Sequence, residues 1–222
     1  MEAHRIPLFP LNVVLFPGML LPLHIFEPRY QQMIRECLDG NRTFGVCLIR
    51  EGEEVGGPAD PCSVGTTCEI LGATPLDEGR MNLVTVGRRR FRVLNLIHEQ
   101  PYLEAQVEFF PDHSAGQLEA LPERVGEAAR AYIGLLLDLQ GEQQKDLNLP
   151  GEAEALSYFV GGVLQVPLEI RQELLECAVT ADRLRRQLKL LEEGFGELDR
   201  IRGLRGKAAR PFRGTPSDLS LN

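Results

Sequence analysis

A chain of 222 residues, 43% hydrophobic and 25% charged, falls among ordinary globular proteins and is long enough to bury a substantial core. Its net charge of −8 is uneven: residues 200–222 carry +5, which leaves −13 on residues 1–199, a balance that argues against general nucleic-acid binding. Five cysteines form no repeated framework, so free thiols in a reducing, cytoplasmic compartment are expected; Cys62 and Cys68, the closest pair, are separated by five residues, too wide for a zinc pair, and no metal or cofactor is expected.

The opening stretch, IPLFPLNVVLFPGMLLPLHIFEPRY from Ile6 to Tyr30, is strongly apolar, yet Pro7, Pro10, Pro17 and Pro22 interrupt it. A spanning helix needs ~20 apolar residues without repeated breakers, and proline removes a backbone donor and clashes in a helix interior. No small-residue cleavage site follows a basic-then-apolar block, so neither a membrane anchor nor a secretory signal is expected. What remains are short apolar pieces, Ile6 to Phe9, Val13 to Phe16 and Leu20 to Phe26, which predict strands joined by tight turns. Glu27-Pro28 then marks a helix start, because proline is pre-organised for the first helical position. Tyr30, Met33, Ile34, Cys37 and Leu38 follow helical spacing, and Asp39-Gly40-Asn41 ends the run. Phe44 to Ile49, Val64 to Leu71, Met81 to Val86, Phe91 to Ile97 and Tyr102 to Phe109 predict further strands of an antiparallel meander or small barrel.

The period then changes. Leu118, Val125, Tyr132 and Leu139 recur every seven residues, with Leu121, Ala128 and Leu135 three residues after the first three, so a helix is predicted from Pro122. Leu156, Phe159, Val160, Val163 and Leu164 mark a second helix, and Pro167 starts a third with Ile170, Leu174 and Cys177 inward. Thr180 caps a fourth, whose stripe is Leu184, Leu188, Leu191 and Phe195. The organisation expected is α+β: a β-domain over 1–113, a helical bundle over 114–199, and a basic, disordered tail over 200–222.

Several separated pieces carry a family resemblance. Pro7-Leu8-Phe9-Pro10-Leu11, Val14-Leu15-Phe16-Pro17-Gly18, Leu21-Pro22-Leu23 and Ile25-Phe26-Glu27 with Arg29-Tyr30 resemble the start of the N-terminal substrate-binding domain of Lon proteases, as do Val64-Gly65-Thr66 and Gly87 with Arg90-Phe91-Arg92-Val93. The resemblance covers roughly residues 5–199 and implies a PUA-like β-barrel followed by a helical bundle. It further implies a stand-alone bacterial member, because a complete Lon protease adds an ATPase and a Ser–Lys peptidase. No G-x-x-x-x-G-K-[ST] phosphate loop is present. Asp112-His113-Ser114-Ala115-Gly116 mimics the surroundings of the Lon nucleophile, but triad members project from different elements of a fold, so no catalytic residue is expected. His4, His24, His98 and His113 are scattered, and neither an H-E-x-x-H nor a G-x-S-x-G motif occurs.

The function this implies is a non-catalytic module that binds exposed apolar polypeptide segments or a partner protein, with weak homo-oligomerisation compatible with it. Two rivals stand beside it: an RNA-binding PUA-like protein, and the recognition component of a separately encoded ATP-dependent protease. The loop Phe16-Pro17-Gly18-Met19-Leu20 should lie at an edge, so Phe16, Met19 and Leu20, with Phe110 as neighbour, are expected to border a peptide groove. Glu27 and Arg29 flank the helix start, where a carboxylate suits free backbone donors. Arg88, Arg89, Arg90 and Arg92 form a basic cluster around Phe91, expected to pair with the acidic body or, alternatively, to meet RNA.

Overall fold

The computed structural model describes residues 3–57, 59–113, 118–142 and 147–208, with side chains through 204. Strands β1 (His4–Leu11) and β2 (Leu20–Ile25) precede helix α1 (Pro28–Asp39); β3 (Thr43–Gly52), β4 (Ala59–Pro75), β5 (Met81–Ile97) and β6 (Leu103–Phe109) follow. Helices α2 (Leu121–Gln140), α3 (Ala153–Val163), α4 (Leu168–Glu176) and α5 (Thr180–Ala208) complete the described elements. The protein is thus α+β, with the predicted early helix and four later α-helices among the described residues.

The sheet runs β2-β5-β4-β3-β1-β6, and a further β5–β6 pairing closes β1, β3, β4, β5 and β6 into a ring. It is not a regular barrel. Met81 and Val93, near opposite ends of the 17-residue β5, pair with β2 and β6 respectively, so β2 hangs outside the ring as an edge strand. Two predicted strands, Met81 to Val86 and Phe91 to Ile97, are therefore one, because Arg88 to Arg90 keep extended backbone between them. The simple meander expectation also changes: β1 and β3 are parallel, since α1 intervenes as a crossover between the sheet's early strands.

Three apolar cores result. The ring holds Ile6, Leu8, Cys47, Phe91, Ala105 and Val107. A second core packs Tyr30, Met33, Ile34 and Cys37 of α1 on Phe9, Phe44 and Ile70 of the sheet. A third unites the helices around Val125, Tyr132, Leu156, Val160, Leu174, Leu184 and Leu191, with Val14, Phe16, Leu48 and Val64 supplied by the β-half.

Val13 to Phe16, predicted as a strand, is irregular. Leu15 turns into the core beneath α1 while Val14 and Phe16 enter the helical core, a division that no flat strand with one covered face could make. The buried carbonyl of Leu15 is satisfied by the Thr66 hydroxyl at 2.6 Å. Residues 200–208, expected in the disordered tail, continue α5 as helix; their Arg, Leu, Lys and Ala are good helix formers. Residues 209–222 lie outside the described residues.

Candidate functional site

The connection from β1 to β2 turns sharply at Pro17-Gly18. Gly18 has φ +82°, a conformation open to glycine at little cost, and Met19 N closes the turn on Phe16 O at 3.1 Å. Two backbone bonds fix the turn to β5: Gly18 N to Gly87 O at 2.8 Å and Gly87 N to Met19 O at 2.9 Å. Phe16 is fully buried, with its ring against α3 at Gly161. A Cβ at Gly161 would lie 2.6 Å from that ring, so glycine is what permits the approach.

With Phe16 as pin, the turn stands off from α3 and leaves a groove of about 780 Å³. Pro17, Gly18, Met19 and Leu20 form one wall. Ala155, Tyr158, Phe159, Gly162 and Val163 of α3 form the other, with Pro150, Glu152 and Glu154 at its N-terminal end. Met19 packs against both the α1 and helical cores, while Leu20 is 61% exposed. Of the four residues expected at a groove, Met19 and Leu20 line it and Phe16 and Phe110 do not. Phe16 lies beneath the wall because its apolar ring fits the Gly161 notch. Phe110 packs on the helical core below Arg90 and Arg92, whose guanidinium carbons stand 4.4 and 5.1 Å from its ring centre. Its neighbour Phe109 takes the ring core instead, as alternation along β6 requires.

Sequence reasoning missed the α3 wall, since Phe159 and Val163 sit in a stripe that reads as core. The available signal was its width: Leu156, Tyr158, Phe159, Val160, Val163 and Leu164 are too many for a helix covered on one side.

Behind the groove lies a buried ion cluster. The Asp112 carboxylate pairs with Arg90 and Arg183 and accepts from Tyr158 Oη at 2.9 Å and Thr180 Oγ1 at 2.7 Å. Thr180, expected as a cap, is instead the first residue of α5, after the Val179 carbonyl that accepts from Arg183 N, and its hydroxyl donates a charge-assisted bond to the carboxylate. One carboxylate cannot neutralise two guanidiniums, and carbonyls at the C-terminal end of α4 complete the shell. Arg90 donates to Leu175 O at 2.6 Å and Cys177 O at 2.9 Å, and Arg183 donates to Cys177 O at 2.6 Å. Burial pushes the Asp112 pKa up, but Arg183, Thr180 and Arg90 outweigh it and hold the group below its usual 3.8. Beside it, His113 N bonds Ala178 O at 2.7 Å, which places this residue pair in the fold's framework; Ser114, Ala115 and Gly116 lie outside the described residues.

The other arginines of the cluster are also engaged internally. Arg88 meets Glu69 at 2.6 Å and Arg89 lies 4.1 Å over the Phe109 ring. Glu27 makes no side-chain bond to the free amides of α1. It holds Arg29 at 3.0 Å, a charge-assisted bond stronger than an amide cap, and Arg29 donates on to Gly57 O at 3.1 Å, tying down the loop after β3. Among the described residues, no group of three His, Cys, Asp or Glu is placed to hold a metal ion. Burial pushes Cys37 up to about 12 and Cys68 up to about 11, which leaves both as inert thiols at neutral pH.

Comparison with known proteins identifies this architecture. The model of the ATP-dependent protease La (LON) substrate-binding domain matches residues 5–193. The chain belongs to the Lon substrate-binding domain family. The Lon protease of Anaeromyxobacter dehalogenans is 32% identical to it over 194 residues, covering 84% of this chain and 23% of that protein. Lon protease 2 of Myxococcus xanthus is 31% identical over 194 residues, with the same shares of each chain. The chain therefore spans about a quarter of the length of these curated relatives. A Lon N-terminal domain protein from Xanthomonas campestris superposes with a TM-score of 0.62 at 27% identity, covering 84% of this chain and 98% of the other. The N-terminal domain of a Mycobacterium avium complex Lon protease shares the fold, with a TM-score of 0.61 at 16% identity over 85% of this chain and 98% of that one. No helix among the described residues of this Lon-family chain is long and apolar enough to cross a membrane.

Proposed function

We propose that this Lon-family chain is a non-catalytic recognition module of the cytoplasm that holds exposed apolar polypeptide segments in the groove between the Pro17–Leu20 turn and α3. The observation that carries this reading is the groove itself: an apolar cleft of about 780 Å³ with adaptable Met19 on one wall and Phe159 on the other. Burial of ~300 Å² of apolar surface at ~25 cal/mol/Å² gives ~7–8 kcal/mol before association costs. Those costs leave an affinity of about micromolar or weaker, suited to transient sampling of clients. The RNA-binding alternative has less to support it, because Arg90 is buried against Asp112 and Arg88 pairs with Glu69, while Arg89 and Arg92 stay exposed beside phenylalanine rings.

The test is Met19→Asp with Leu20→Asp. Leu20 is exposed and Met19 only half-buried, so the variant should keep a native circular dichroism spectrum, with its melting temperature lowered by the packing that Met19 loses against the two cores. Binding of a fluorescently labelled, permanently unfolded polypeptide, measured by anisotropy, should weaken about tenfold or more. Undiminished binding by the folded variant removes the groove from this surface.

A further inference from the structure

The groove carries charge at one end only. Glu152 precedes α3 and Glu154 lies in its first turn; both are exposed, and both line the groove beside Pro150 and Ala155. Among the described residues, no Lys, Arg or His lines it. Among the described residues, neither carboxylate has an ion pair or a side-chain hydrogen bond. Acidic residues at a helix start complement its dipole, and that accounts for their tolerance there. It does not account for an apolar cleft whose one polar end is of a single sign, on a body that carries −13 over residues 1–199. Such a cleft attracts a cationic flank and repels an anionic one.

We infer that the groove selects apolar segments flanked by Lys or Arg, with the cationic flank lying against Glu152 and Glu154 and the apolar residues between Met19 and Phe159. This rests on the groove reading above and names its client class. Each pair sits at an exposed rim, so two of them favour a cationic over a neutral flank by about 3- to 10-fold at low salt. The preference fades near 0.5 M salt, where screening acts over about 4 Å.

The experiment uses three fluorescein-labelled peptides with one Leu- and Phe-rich core and Lys-Lys, Ser-Ser or Asp-Asp flanks. The quantity read is the ratio of their dissociation constants on the full chain. In low salt the order should be Lys-Lys tightest and Asp-Asp weakest, with the spread collapsing at high salt. In Glu152→Gln with Glu154→Gln the ratio of the Lys-Lys to the Ser-Ser dissociation constant should rise to about one, and in Glu152→Lys with Glu154→Lys the order of the three peptides should invert in favour of Asp-Asp. Equal affinities for all three peptides overturn the proposal, as does a Lys-Lys preference that survives both double variants, which would assign it to the acidic body at large. The Ser-Ser peptide separates the two readings: if Met19→Asp with Leu20→Asp leaves its binding intact, the groove itself fails, whatever the flanks do.

Discussion

Asp112 is the one carboxylate in a buried shell with Arg90, Arg183, Tyr158 and Thr180, and it joins the end of β6 to the start of α5. Removing its charge leaves two guanidiniums with carbonyl partners alone, and breaking a buried ion pair from one side costs ~3–5 kcal/mol. Asp112→Asn should therefore lower the free energy of urea unfolding by about that amount, near the size of a small protein's whole stability. The folded-state pKa lies below 3.8, so Asp112 binds its proton more readily in the unfolded chain. Its contribution is fully present above about pH 5 and is lost as pH falls through the depressed value. Melting temperature against pH should fall on the acid side in the parent, and that limb should be shallower in Asp112→Asn. An equally steep limb in both would assign acid sensitivity to other carboxylates.

Helices α3 and α5 each serve more than one surface. α3 buries Leu156, Val160 and Leu164 in the helical core, meets the Phe16 pin at Gly161, and leaves Phe159 and Val163 for the groove. Its last turn is held by Arg171, which donates to Gly162 O at 3.3 Å. α5 buries Leu184, Leu188 and Leu191 in its first half, but Ile201 and Leu204 are exposed. Residues 201–204 thus prolong a helix without covering any core. Ending the chain after Arg200 should change stability by no more than ~0.5 kcal/mol in chemical denaturation. A larger loss would mean that the basic segment docks on the acidic body.

For the molecule as a whole, the helical half does not own a complete core. Val14, Phe16, Leu48 and Val64 reach into it from the β-half, and Gln172 Nε2 donates to Val64 O at 3.0 Å across the same boundary. The Asp112 cluster crosses it again, as does the Phe16 contact at Gly161. Residues 118–222 produced alone should lack a cooperative thermal transition, whereas the full chain should unfold in one step, seen alike by near- and far-ultraviolet circular dichroism. A sharp transition in the isolated half would show that its own apolar stripes suffice.

Local chemistry made much of this legible. Glu27-Pro28 and Asp39-Gly40 bracket α1, and the stripes of α2 to α5 stand in the sequence because helical periodicity is a property of neighbours three and four residues apart. The Pro17-Gly18 turn was equally plain, and with it the presence of Met19 and Leu20 at an edge. Contacts between distant segments were not. No local pattern distinguishes Phe16, buried against Gly161, from Met19 on the groove wall three residues later. Nor could Asp112 be matched to Arg90 and Arg183, which lie 22 and 71 residues away and meet it only once the two halves pack. Sequence determined which segments would be helix, turn or apolar; packing between the β-half and the helices decided which apolar side chains became core and which remained to bind, because burial depends on what the rest of the chain brings to each face.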